Sequence, residues 1–290
     1  TGDIDVAVAG GMESMSNCPH LLRSLRTGVR IGDTEAVDSM VHDGLWCSLE
    51  NWSMGLACEA VVDKYRVSRT DQDTFAAHSH HKAAAAVQEG WFQDEILPIE
   101  IPQRKGDSIR LEHDESIRRD TSTEALSKLR PAFKPDGTVT AGNAPGVNDG
   151  AAALLIMSTQ KAASLNCEPM ARIIGQAVSG LSPKWILMTP VQAVQKLLSK
   201  TGWTLDDLDL IELNEAFSAQ ALAVIRTLDL DPTKVNINGG AIALGHPIGA
   251  SGARILTTLL YALKRKNLKR GIATLCLGGG NGVALAVETL

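Results

Sequence analysis

Three short stretches of this 290-residue chain carry residue types suited to nucleophilic and acid–base chemistry. Residues 238–254 read NGGAIALGHPIGASGAR, with five glycines and a proline around one histidine, His246. Glycine admits positive φ and close approach of the backbone to a ligand, at an entropic cost accepted for a tight turn or a site. Pro247 biases His246 toward extended backbone and so holds the ring in one direction. Downstream, residues 271–288 read as strand, glycine loop and strand, with Cys276 just before the glycines. Upstream, Asn214 and Glu215 end a short apolar run. Each has a plainer reading: a glycine turn with an incidental histidine, a buried structural thiol, a helix start. A metal site is disfavoured, because no second His, Cys or carboxylate stands near His246 at ligand spacing.

Hydrophobic periodicity predicts the elements that position these residues. Strands are expected at 4–9, 149–157, 171–179, 209–213 and 271–276, and helices at 69–90, 189–201, 215–228 and 252–266. The first strand, ending at Gly10-Gly11, reads as a buried parallel strand meeting a functional loop, a degenerate repeat of residues 271–280. Between 17 and 139 charged and turn residues dominate, and prolines interrupt short helices. The best helix opens at Ser68 and closes at Gly90. Its histidines at 78, 80 and 81 cannot all face one way; only His78 and His81 share a face, which reads as solvated. Residues 161–170 read as a linker. Alternation after 171 predicts an α/β layer with sites at strand ends.

Taken together and in order, GGMESMS at 10–16, AGNAPGVNDGAAA at 141–153, NEAF at 214–217, GGAIALGHPIGASGAR at 239–254 and CLGGGNG at 276–282 resemble the thiolases, the coenzyme A-dependent acyltransferases. The resemblance runs from Thr1 to Leu290. It implies a layered α/β fold of two similar halves with an inserted loop domain. The halves would be 1–16 with 140–162, and 168–290; the insertion, 17–139, would cover coenzyme A. It implies that His246 activates a nucleophilic cysteine and, with Asn214 through a water, holds a thioester oxygen. Cys276 would be the acid/base for the α-proton of acetyl-CoA, and Gly278 would offer a backbone N–H to the other oxyanion. Arg118 would meet the nucleotide tail, with Leu129 and Phe133 as apolar walls. Ala141 and Gly142 would lie against the pantetheine, with Met54, Ala216 and Phe217 also at the coenzyme. Coenzyme A and acetyl-CoA enter as substrates; no prosthetic group is implied.

In the family the nucleophile precedes the strand that begins here at Ile4. Cys18, Cys47, Cys58 and Cys167 match no family motif. The chain opens at Thr1 without methionine, which does not look like a natural start. A fragment with an incomplete first half is therefore expected, binding coenzyme A weakly and turning over little. GASGAR and CLGGGNG resemble the acetyl-CoA acetyltransferase branch. Ser53 and Pro145 depart from it at positions bordering the acyl or pantetheine pocket, leaving a broader 3-ketoacyl specificity as the alternative.

Composition bounds the rest. A net charge of −5 gives no reason to expect nucleic-acid binding, although Arg104, Lys105, Arg118 and Arg119 form a basic cluster suited to an anionic tail. Five cysteines without paired spacing suggest reduced thiols in a cytoplasmic setting. No apolar run reaches the length of a membrane span. By resemblance a homodimer or homotetramer is expected, with residues 19–33 and their arginines 23, 26 and 30 matching the tetramer contact, and a place in fatty acid metabolism. A dinucleotide-binding dehydrogenase fails, since the glycines at 278–282 lead into a strand rather than a helix N-terminus. A ketoacyl synthase would need a histidine where Asn214 stands. A non-catalytic coenzyme A-binding protein is the remaining rival.

Overall fold

The structure, a computed structural model, describes residues 2–290. It begins with β1 (Val6–Ser14), then the short pairs β2 (His20–Leu21) with β3 (Val37–Asp38) and β4 (Trp46–Cys47) with β5 (Trp52–Ser53). Helices α1 (Met54–Tyr65) and α2 (Arg69–Gln88), the hairpin β6 (Ile99–Ile101) and β7 (Ile109–Leu111), and α3 (Thr123–Ser127) follow. The chain returns through β8 (Asp149–Met157) and α4 (Thr159–Ser164). The last part comprises β9 (Ala171–Gly180), α5 (Thr189–Thr201), β10 (Leu210–Leu213), α6 (Ser218–Leu228), α7 (Ala241–Leu244), α8 (Ile248–Lys266), β11 (Arg270–Leu277) and β12 (Asn281–Thr289).

A four-stranded sheet in the order β10-β11-β12-β9 carries the site. Only β10 and β11 are parallel, so both run out toward the same edge, with Asn214 just past one and Cys276 near the end of the other. Alternation of side chains sorts the sheet's two faces. Ile211, Leu213 and Ile272 join the core under α1, α5 and α6. Leu210, Ala273 and Leu275 meet Ile255, Leu259 and Leu263, the i, i+4, i+8 stripe of α8. The sheet is thus covered by helices on both sides, the α/β layering expected from the sequence. Among the described residues no helix is long and apolar enough to cross a membrane.

Several boundaries differ from the sequence reading. The first strand runs on through Gly10-Gly11 to Ser14, and it pairs antiparallel with β8 rather than lying buried in a parallel sheet. Its apolar side chains alternate outward, with Val8 76% and Met12 65% exposed. The two glycines serve close approach: a Cβ on Gly10 would overlap the Ala152 carbonyl, and one on Gly11 the Gly249 carbonyl. Helix α6 begins at Ser218 rather than 215, because Phe217 is extended (φ −157°) and Glu215 is engaged elsewhere. Helix α8 begins at Ile248, directly after Pro247, whose fixed φ suits a helix entrance. The 161–170 linker contains the end of α4. Helix α2 opens at Ser68 as expected, its Oγ accepting from the Asp71 N–H at 3.1 Å, and ends at Gln88, with Gly90 at φ +69° beyond it.

One buried carboxyl group holds the glycine-rich loop to the sheet. Glu215, 1% exposed, accepts from Ser79 Oγ at 2.7 Å, Asn236 Nδ2 at 2.9 Å and the Ile242 N–H at 3.1 Å. Ser79 Oγ in turn accepts from the Gly240 N–H at 3.0 Å. Asn236 also bonds both backbone groups of Leu213, at 2.9 and 2.8 Å, tying the loop to β10. Gly240 packs onto the carboxyl group so closely that any side chain there would overlap it. Loop, helix α2 and sheet meet on this one group.

These contacts make two substitutions informative. Glu215→Ala leaves three buried donors without an acceptor and should destabilise the protein by about 3 kcal/mol or more, read from denaturant unfolding; a loss below about 0.5 kcal/mol would contradict the account. Gly249→Ala drives a methyl group into the Met12 carbonyl where β1 crosses the start of α8. It should cost about 1–3 kcal/mol, whereas Gly106→Ala, with open space around it at φ +87°, should cost only its backbone strain.

Candidate active site

His246 sits half-buried between the end of α7 and the start of α8. Its Nδ1 lies 2.6 Å from Ser251 Oγ, and that hydroxyl donates to the Pro247 carbonyl at 3.0 Å. The hydroxyl is left as the acceptor, which puts the imidazole hydrogen on Nδ1. Nε2 then carries the lone pair and receives Asn214 Nδ2–H at 3.3 Å. Burial pushes the imidazole down to about 4, helped by the Arg254 guanidinium, so the ring is neutral at physiological pH. A neutral ring whose lone-pair nitrogen is met only by an amide N–H can accept a proton. Asn214 Oδ1 is buried without a hydrogen-bond donor among the described residues.

Cys276 stands on the same face of the sheet as Ile272 and packs against the core under α1 and α6. Burial raises its thiol to about 11, so it rests protonated. Asn214 is tied to the same strand: Leu213 lies in register with Thr274, and the Asn214 N–H donates to the Thr274 carbonyl at 3.0 Å, two residues before Cys276. Gly278 is exposed, with open space where a side chain would lie. The turn behind it is fixed by Gly279 at φ +76°, by Gly280 at φ +89° packed on the Leu181 carbonyl, and by Asn281 Nδ2 donating to the Gly278 carbonyl at 2.9 Å.

A pocket of about 230 Å³, joined to His246 through Asn148, is lined by Arg118, Ala141, Gly142, Ser116, Asn148 and His80 among others. Ala141 and Gly142 lie in a loop anchored by Glu59, which accepts from the Thr138 and Val139 N–H groups at 2.8 and 2.9 Å, and by Asn143 Nδ2 on Asp73 at 3.0 Å. Gly142 leaves room for Leu126 and Leu129 to close on the backbone. The remaining apolar candidates form an adjoining group. Phe133 meets Phe217 edge to face at 6.3 Å and lies against Gly55, next to Met54, while Ala216 is buried. Of the basic cluster, Arg118 lines the pocket, whereas Arg104 and Lys105 are exposed in the β6–β7 turn. Ser53 caps α1, its Oγ accepting from the Leu56 N–H at 3.3 Å.

Four contributors escaped the sequence reading. Asn148 accepts from the His246 N–H at 3.1 Å and donates to Ser116 Oγ at 3.0 Å, joining pocket and histidine. Glu215 was legible only as a helix start. Behind His246, Arg254 lies 3.5 Å from Glu212, and burial raises Glu212 to about 8 and Glu95 to about 7, the same guanidinium opposing both shifts. His80 is 5% exposed, so the histidine run of α2 is not wholly solvated: His78 and His81 are exposed, and His80 turns inward. The spacing showed that the three must diverge, but not which one the fold would bury.

Comparison with known proteins shows the family. The family described as "Thiolase, N-terminal domain" matches residues 1–160, and "Thiolase, C-terminal domain" matches residues 167–289. The acetyl-CoA acetyltransferase of Chromobacterium violaceum is 56% identical over 287 residues, covering 99% of this chain and 73% of that protein. The Pseudomonas aeruginosa acetyl-CoA acetyltransferase is 53% identical over 286 residues, with 99% and 73% covered. Among solved structures, Bacillus anthracis acetyl-CoA acetyltransferase superposes with a TM-score of 0.96 at 46% identity, over 100% of this chain and 73% of that one. Human mitochondrial 3-ketoacyl-CoA thiolase gives 0.95 at 43% identity, over 99% and 72%. With both halves of the family matched over nearly its whole length, the chain belongs to the thiolase family.

Proposed function

We propose that this protein is an acetyl-CoA C-acetyltransferase, which joins two acetyl-CoA molecules into acetoacetyl-CoA or, in reverse, cleaves that product with coenzyme A. The observation that carries this reading is a neutral histidine on Asn214, just past the end of one strand, with a protonated thiol near the end of the neighbouring parallel strand. Relatives named acetyl-CoA acetyltransferase at 53–56% identity support it.

The reaction needs a thiolate nucleophile, an acid/base for the α-carbon and donors for two oxyanions. His246 Nε2 takes the proton of the nucleophilic thiol, and the thiolate left behind compensates the imidazolium. In the cleavage direction the Cys276 thiol gives its proton to the departing α-carbon of acetyl-CoA and regains one from coenzyme A. In condensation the Cys276 thiolate removes that α-proton. The protonated resting thiol is the acid form that cleavage requires. Asn214 Nδ2–H and, once protonated, His246 Nε2–H face the thioester oxygen, and the Gly278 N–H serves the other oxyanion.

None of the remaining cysteines fits the nucleophile. Cys58 is fully buried, with its thiol pushed well up by burial and by Glu59; Cys47 is buried; Cys18 and Cys167 point to nearby backbone carbonyls. The acyl-enzyme thiol is assigned to none of the described residues. Coenzyme A is assigned to the pocket, with Arg118 at its anionic end, Ala141 and Gly142 along the pantetheine, and Met54, Leu129, Phe133, Ala216 and Phe217 as apolar surface. The resemblance to human 3-ketoacyl-CoA thiolase, with Ser53 and Pro145, favours as a second reading an acyl pocket open to longer chains. A homodimer or homotetramer working in cytoplasmic fatty acid metabolism completes the proposal, supported by family likeness and the unpaired thiols.

Thiolysis of acetoacetyl-CoA by the protein expressed from its complete reading frame tests the reading. His246→Ala and Cys276→Ala should each lower kcat by about 10²- to 10⁴-fold, with KM changed by less than about threefold. An unsubstituted enzyme without thiolysis activity, or losses below about tenfold, would count against it.

A further inference from the structure

Two elements grip His246 from opposite sides, and a second contact joins the same two elements beside it. Ser251 Oγ, on the first turn of α8, meets Nδ1 at 2.6 Å, and Asn214 Nδ2, just past β10, meets Nε2 at 3.3 Å. Arg254 stands three residues on from Ser251 along α8, and Glu212 stands two residues before Asn214 on β10. Arg254 Nη1 lies 3.5 Å from Glu212 Oε2, with the Glu212 side chain 3% exposed. The spacing explains the match. Residues three and four apart share a helix face, so Ser251, Arg254 and the core residue Ile255 lie together on α8. Strand alternation turns Glu212 to the face of Leu210, which joins the same core cluster as Ile255. Helix and strand are thus linked by two rungs, Asn214–His246–Ser251 and Glu212–Arg254.

A buried pair of this kind is a poor source of net stability, since apolar residues of similar volume often replace it without loss. Its contribution is spacing. Resting on the acyltransfer reading above, we infer that Arg254 and Glu212 are positioning residues for His246, their contact fixing the separation of α8 and β10 at which Ser251 and Asn214 hold the ring. Burial raises Glu212 to about 8 against the pull of Arg254, so near neutral pH its oxygen meets the guanidinium in both the protonated and the ionised state. Placement, and not a full charge on Glu212, is what the contact supplies. Lys82, Glu95 and Glu215 also act on Glu212, while Glu95 and Asp114 both feel Arg254.

Substitution of both partners separates placement from stability. Arg254→Met with Glu212→Leu removes the two polar groups at once, so the thermal midpoint should stay close to that of the unsubstituted protein. In thiolysis of acetoacetyl-CoA by the full-length protein, kcat should fall about tenfold to a hundredfold, with KM changed by less than about threefold. His246 should lose its single Nδ1–H tautomer in NMR spectra. Its midpoint should move up from about 4, because Arg254 no longer opposes the imidazolium. Glu212→Gln keeps an oxygen for the guanidinium and should recover most of the rate and the single tautomer. If the double variant does not fold, Glu212→Leu alone, with Glu95 and Asp114 left as counter-charges for Arg254, should show the same losses of kcat and of the tautomer. Normal kcat and an unchanged tautomer in a folded double variant overturn the inference and reduce the pair to packing. A loss in Glu212→Gln equal to that of the double variant also overturns it, since charge rather than placement would then be at work. Absence of thiolysis by the unsubstituted protein would instead overturn the acyltransfer reading, while the His246 spectra would still decide whether the pair positions the ring.

Discussion

The buried carboxyl group of Glu215 is the constraint on which the site depends. A glycine-rich loop has no side chains of its own with which to choose a conformation, and glycine gives the unfolded chain the greatest freedom to lose. Here the conformation comes from outside the loop. Glu215 at the end of β10, Ser79 on α2 and Asn236 before the loop satisfy one another and the loop's N–H groups, in a place where an unmatched donor is costly. The histidine that follows is consequently placed by the sheet, although it lies on a loop.

That placement sets the protonation states. His246 and Cys276 are both buried enough to be neutral, and burial moves them in opposite directions, the imidazole down to about 4 and the thiol up to about 11. At neutral pH the histidine is a free base and the thiol keeps its proton, which is what the proposed reversible carbon–carbon bond chemistry at a thioester asks of its acid/base groups. Arg254, on the far side of the loop, adds to the pressure on the histidine while partly offsetting the cost of burying Glu212 and Glu95. Asn148 carries the connection forward, since one amide group bonds both the histidine backbone and the pocket hydroxyl of Ser116.

Legibility in the sequence tracked how local each feature is. The strands and helices of residues 171–290 could be read from periodicity, because β10, β11 and α8 each bury faces of regular spacing. The strand through Gly10 and Gly11 was misjudged because its partner, β8, lies more than a hundred residues on, and glycines that look like a loop serve there for close approach. The start of α6 was placed too early for a similar reason: the NEAF segment reads as helix, but Glu215 is claimed by residues from α2 and the loop. His246, Cys276 and Asn214 stood out by motif. His80, Asn148 and Ser116 did not, since their role consists of contacts between segments that the sequence does not juxtapose.

The central claim is that the fold holds His246 as a neutral Nδ1–H imidazole, and it can be measured directly by following the imidazole resonances of His246 by NMR as pH is lowered. An unstrained histidine titrates near about 6.5. The account predicts a single neutral tautomer with the hydrogen on Nδ1 down to roughly pH 5.5, and a midpoint at about 4. Because the folded value lies below the unfolded one, acidification through that window protonates the unfolded chain first, and stability contributed by this residue should fall as pH drops from about 6.5 toward about 4. A midpoint near about 6.5, or a hydrogen on Nε2 in the free protein, would contradict the account.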